Sequence, residues 1–208
     1  MTTGSYLDET SKVLAWWFAA GDTMPNGDGR KIVVGEKLTV SPPLVLCKHG
    51  FHGSKLCLDA LQYAHGPWLH RPRHSGEILY GDDKLCSTER TILARVDFTP
   101  QLRLFARQCA SDVLHLWNAP EVVRDYLATG DEALQGAARR AAWAARYAGA
   151  AAGAAAWAAW ASGDAAWAAR DAAWAARDAG GAAAGEKQVA SLEALALVAV
   201  AAAMEVAP

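Results

Sequence analysis

Residues 13–20 read VLAWWFAA, an unbroken apolar run of the length expected for a buried first strand, and the Gly, Asp, Pro and Asn of residues 21–29 mark the loop that follows it. Short strands are expected at 31–34 and 37–40 on either side of Gly35, and another at 44–47 after Pro42 and Pro43, with 48–53 as a turn. Leu56, Ala60, Leu61 and Ala64 are spaced to cover one face of a helix over 56–64. Further strands are expected at 77–80 and 91–96. Between them, His65, His70 and His74, with Arg71 and Arg73, read as a cationic loop able to meet phosphate or carboxylate.

Beyond Pro100 the pattern turns helical. Ser111 is placed to cap a short helix through Trp117, and Pro120 stands in the first turn of another that runs to Gly130. Thr129 and Glu132 have capping-box spacing for a long helix after them. Breaks are expected at Ser162-Gly163-Asp164 and at Gly180-Gly181 with Gly185, before a last helix over 186–206. The fold class is therefore α+β: a small mixed domain over 10–100, short connecting helices over 101–130, and an all-α module over 131–208.

Alanine fills more than half of residues 137–184, and the bulky side chains among it are mostly Trp and Arg in AAWAAR units. At about 100° per residue, Trp143, Trp157 and Trp160 share an arc with Arg139, Arg140, Arg146 and Tyr147. Trp167 and Trp174 share another with Arg170 and Arg177 on one flank and Asp164, Asp171 and Asp178 on the other. The rest of each cylinder is bare alanine, which has the highest helix propensity and lets backbones approach closely. The preferred reading is a buried Trp seam with charged shoulders, in a bundle or a homo-oligomer. The alternatives are an exposed aromatic-cationic ridge that stacks on a partner, nucleic acid or ligand, and a membrane-surface helix.

Charge restricts the partners. Twenty Lys and Arg against 22 Asp and Glu leave a net charge of −2, without the basic excess of a general nucleic-acid binder. The N-terminal MTTGSYLDETSK has acids where a signal peptide needs bases, and the uninterrupted apolar run 194–204 is too short for a membrane span. Four cysteines are too few for a disulfide framework, so a cytoplasmic location with reduced thiols is expected. Cys47, His49, His52 and Cys57 gather thiols and imidazoles, but their spacing departs from that of closed zinc sites, and no metal is expected there.

CKHGFHGSKLCLDALQYA from Cys47, followed by SGEILYGDDKL from Ser75, resembles a domain of unknown function widespread in phage and bacterial proteins. The resemblance covers about 10–98 and implies a phage-associated setting, often with an alanine-rich tail, but no activity. A weaker similarity, in the order of elements, is to ADP-ribosyltransferases. It rests on Gly50-Phe51-His52-Gly53-Ser54 and on Glu89 in Ser87-Thr88-Glu89-Arg90. It implies NAD as cofactor, with Glu89, Ser54 and His52 as catalytic candidates, although the first strand lacks the Arg or His that holds NAD in that family. The expectation is thus an interaction protein that binds a protein partner or its own copies through Trp143, Trp157, Trp160, Trp167, Trp174, Arg170 and Arg177. The alternative is an NAD-using transferase.

Overall fold

The computed structural model describes residues 6–8, 12–25, 28–145 and 165–206. It is α+β and divides into two compact units. The first comprises residues 1–98 and 193–208, the second 99–192. The sequence places everything from 131 onward in one module; the structure instead groups the last sixteen residues with the sheet.

The first unit is organised by a long antiparallel hairpin, β6 (Trp68–Tyr80) and β7 (Leu85–Asp97), closed by the turn in which Gly81 N–H donates to Lys84 O. Along the free edge of β6 run β1 (Tyr6–Asp8), β2 (Val13–Leu14) and β3 (Trp17–Ala19), all antiparallel to it. Along the free edge of β7 run β4 (Lys37–Thr39) and β5 (Phe51–Gly53). Trp16 then pairs with Ser54, N–H to O in both directions at 2.7 and 3.0 Å. That bridge ties the β3 edge to the β5 edge, so the ladder β3–β6–β7–β5 returns on itself.

Strand β6 includes most of the expected cationic loop. Pro72 and Gly76 sit at the two places where β6 slips register against β7, between Arg71 and Pro72 and between Ser75 and Ile78. Proline is tolerated in a ladder at such a bulge because it has no N–H to leave unpaired. Gly76 takes φ +72°, and a Cβ there would lie 2.3 Å from Thr88 Oγ1. With side chains alternating along the strand, His70 and His74 are turned inward and fully buried, whereas Arg73 faces out.

The expected strand at 44–47 is a turn, since Cys47 has φ 65°, a left-handed conformation that no strand accommodates, and Val45 and His49 bond to each other across it. The strand begins two residues after His49, at Phe51. Helix α1 (Cys57–Gln62) buries Cys57, Leu58, Ala60 and Leu61. Its first N–H is capped from afar: Cys57 N donates to Glu193 Oε2 at 3.0 Å, and Trp16 Nε1 donates to Glu193 Oε1 at 2.7 Å. Phe18, Leu61, Leu69 and Phe98 are buried in the same unit, and the Phe18 and Phe98 rings lie 6.2 Å apart.

In the second unit α2 (Thr99–Asp112) starts twelve residues before the expected cap at Ser111. Its apolar face, Leu102, Phe105, Ala106, Cys109 and Ala110, follows the helical period and is buried. After a 3₁₀ turn (Leu114–Leu116), α3 (Glu121–Thr129) begins behind Pro120 and ends on left-handed Gly130, as the sequence indicates. Helix α4 (Glu132–Ala145) is capped by Asp131, whose Oδ1 accepts from Ala133 N, while Thr129 Oγ1 bonds back to Asp125 O. Helix α5 (Ala165–Val206) is broken at Gly181, with φ 70° and ψ −157°. Gln188 Nε2 reaches Ala173 O at 3.1 Å. Fifteen residues of straight helix would separate them by about 22 Å, so the chain doubles back at the glycine.

Candidate functional site

The first unit holds a cavity of about 580 Å³ where its sheet edges meet. Trp16 and Trp17 come from the β2–β3 edge, Phe51, His52 and Gly53 from β5, Arg90 from β7 and Tyr63 from the end of α1. Gly53 leaves room for the interior: a Cβ on it would lie 2.8 Å from His74 Nε2.

Arg90 is the most unusual group in this lining. It is 2% exposed, with its guanidinium carbon 4.1 Å from the Trp17 ring centre and 4.9 Å from that of Phe51. Nη2 lies 2.7 Å from Met24 Sδ, Nη1 donates weakly to His52 O at 3.4 Å, and Nε has no hydrogen-bond partner among the described residues. Burial lowers its pKa to about 9. The nearby carboxylate, Asp28, is held by Arg30 through contacts of 2.6 and 2.7 Å.

The buried imidazoles are neutral. Burial pushes His70 down to about 3, with the charges of Arg95 and Arg90 acting the same way, and lowers His74 well below its ordinary value. His74 Nδ1 bonds Ser87 Oγ at 2.7 Å, and the His70 ring meets Trp17 at a tilt of 41° with ring centres 4.7 Å apart. At the rim, Tyr63 donates to Asp83 and receives a bond from Lys84 Nζ at 2.7 Å. Burial, then Asp83, raise the pKa of this phenol.

The catalytic candidates of the transferase reading are not brought together. His52 and Ser54 line the cavity, with His52 accepting from Cys47 N at 2.9 Å and kept neutral chiefly by burial. Glu89 is outside it. Neighbouring side chains on a strand point to opposite faces, and Glu89, next to Arg90, pairs with Lys37 Nζ at 2.7 Å and accepts from Ser75 Oγ at 2.8 Å. Lys37, then Ser75, hold its carboxyl below the usual range. The four thiol and imidazole groups also diverge: Cys57 is buried at α1, Cys47 is exposed, and His49 Nε2 contacts Ser41 O. No group of three or more His, Cys, Asp or Glu is gathered for a metal ion among the described residues.

In the second unit it is the alanine face that packs within the chain, contrary to a Trp seam buried inside a bundle, whereas a seam between two copies of the chain requires exposed rings such as these. Ala138, Ala142, Ala169, Ala172 and Ala176 are completely buried. Trp143, Trp167 and Trp174 are 40%, 51% and 69% exposed. Alanine packs because its small side chain lets another backbone come close, and the larger ring is left on the outside. Arg170 lies over the Trp167 ring at 4.0 Å and contacts Asp171 at 3.4 Å. Arg177 is exposed and packs beside Gly185. Trp157 and Trp160 lie outside the described residues.

One further helix bears on partners. Residues 181–205 are long and apolar enough to cross a membrane by length and composition alone, a longer window than the 194–204 run weighed from sequence. Polar groups along it are engaged elsewhere in the fold: Lys187 with Asp112, Ser191 with Gln108, and Glu193 with Trp16 and Cys57.

Sequence reasoning identified His52 and Ser54, placed His74 in a cationic loop although it is a buried strand residue, and missed Arg90 and Glu193. Arg90 lies just before the strand expected at 91–96, so no local signal marked it as facing inward. No protein-family model, curated protein or solved structure matches this chain, so its function has to be argued from these residues.

Proposed function

We propose that this chain is an interaction protein whose alanine-rich helices pair with a second copy of the same chain through the arc centred on Trp167 and Trp174. The observation that carries this reading is the inversion of faces: with alanine packed inside, Trp174 is 69% exposed. A ring of that size on a helix otherwise made of alanine is a natural anchor for an interface, where Trp and Arg are enriched.

The charges select the occupant. Arg170 and Arg177 flank the Trp arc on one side, Asp171 and Asp178 on the other. When two identical helices pair in parallel about a two-fold axis, opposite flanks meet, so each Arg row faces the partner's Asp row. An antiparallel pair would set like rows against each other. Equal numbers of acids and bases also disfavour a phosphate backbone as partner. A cytoplasmic, phage-associated setting belongs to the same proposal, taken from cysteine content and resemblance.

Charge exchange tests it. A variant with Asp171→Arg and Asp178→Arg, and another with Arg170→Asp and Arg177→Asp, should each be monomeric by light scattering. Mixed together they should associate. Self-association of either variant alone, or none in the mixture when the native chain associates, contradicts parallel pairing. The NAD-using alternative gains no support from the position of Glu89 outside the cavity.

A further inference from the structure

A guanidinium carries five N–H donors in a planar fork, and burying it without an anion is costly because its hydration is lost and not replaced. Arg90 is in that position. Trp17 and Phe51 stabilise the cation but supply no acceptor, and its two closest polar contacts are a thioether and one long bond to a carbonyl. Thioether sulfur is a weak acceptor. Asp28 does not repair the deficit, because Arg30 grips both of its oxygens.

The surroundings point to what is missing. The cavity lining includes Lys48, Lys84 and Arg90 against Asp28 as its acid, although the whole chain is net negative. The volume of about 580 Å³ is far more than a bare ion requires and falls within the range of small-molecule sites. Met24, whose Sδ meets Nη2, packs against Ala19, Ile32 and Ile92 with a long unbranched side chain that has other rotamers to adopt.

We propose that this cavity binds a small organic anion, whose carboxylate or phosphate group displaces the Met24 thioether and takes the in-plane N–H groups of Arg90. A bidentate contact of that kind satisfies the fork and neutralises the buried charge. The body of the ligand lies among His52, Ser54 and Tyr63. This site is in the first unit and is independent of the helical self-association proposed above.

Calorimetry at low salt tests it, using adenosine 5′-monophosphate and benzoate as anionic probes and adenosine and benzamide as their neutral counterparts. At least one anion should bind with unit stoichiometry and at least tenfold more tightly than its neutral counterpart; whichever binds distinguishes phosphate from carboxylate. Arg90→Met, which keeps bulk and removes charge, should weaken that binding tenfold or more while the protein stays folded. Should this variant fail to fold, the Arg90 Nε–Hε resonance of the native protein provides the same test, and it should move as the anion is titrated. Absence of binding by both anions, equal binding of the neutral compounds, full affinity in folded Arg90→Met, or a stationary Arg90 signal at saturation would overturn the proposal.

Discussion

Exchanging sizes between the two faces of the alanine-rich helix distinguishes a packed alanine face from a packed tryptophan face. Ala172 and Ala176 are wholly buried, so Ala176→Leu forces three extra carbons into a contact with no space, an overpacking that costs about 1–3 kcal/mol. Trp174 is 69% exposed. About a third of a side chain of roughly 200 Å² is therefore in contact, worth about 1.5 kcal/mol at about 25 cal/mol/Å². Trp174→Ala also gains roughly 0.5 kcal/mol in helix propensity, leaving a net loss of about 1 kcal/mol. A buried Trp would instead cost about 3–5 kcal/mol. Urea unfolding followed by far-ultraviolet circular dichroism, at concentrations dilute enough to keep the chain monomeric, measures both. A loss of 3 kcal/mol or more in Trp174→Ala, with Ala176→Leu unchanged, would refute the inverted packing.

Three other outcomes are expected. An unfolded imidazole titrates near 6.5 whereas folded His70 titrates near 3. Below pH 6.5 the unfolded chain therefore binds a proton that the folded one refuses, and stability present above that pH falls by about 1.4 kcal/mol per unit towards pH 3. Folded His74 is shifted in the same direction and steepens the slope, so a urea midpoint flat between pH 7 and 4.5 would contradict neutral burial of both. Glu193→Ala removes an acceptor from the Trp16 indole and from the first N–H of α1 and should cost about 1–3 kcal/mol, read as a lower Tm; an unchanged Tm would show that these bonds contribute nothing. Glu89→Gln should alter stability slightly and abolish no NAD turnover, whereas native turnover that vanishes in this variant would restore the transferase reading.

What was legible in the sequence was local chemistry. Pro120 and Gly130 bound α3 because one fixes the entry conformation and the other accepts the left-handed exit. Gly181 breaks α5 with φ 70° and ψ −157°, a conformation open essentially to glycine alone. Strand β6 was partly hidden because its run of His and Arg reads as a cationic loop until a partner strand shows which side chains turn inward. The cap of α1 could not be read from spacing, since Glu193 lies 136 residues from Cys57. Helical periodicity sorted Ala from Trp correctly but could not say which face packs, because close approach of alanine backbones competes with burial of large rings. In the candidate site, His52 and Ser54 were found through one short segment. Arg90 was passed over beside Glu89, because the pairing of strands decides which neighbour turns inward.

The mass of the native protein in solution as a function of concentration tests the account most directly. Light scattering should show a monomer converting to a dimer as concentration rises, and the Trp167→Ser, Trp174→Ser double variant should remain monomeric with its helical circular dichroism intact. A native chain that stays monomeric at every concentration, or a double variant that dimerises as the native chain does, would contradict the proposal that this exposed arc joins two copies.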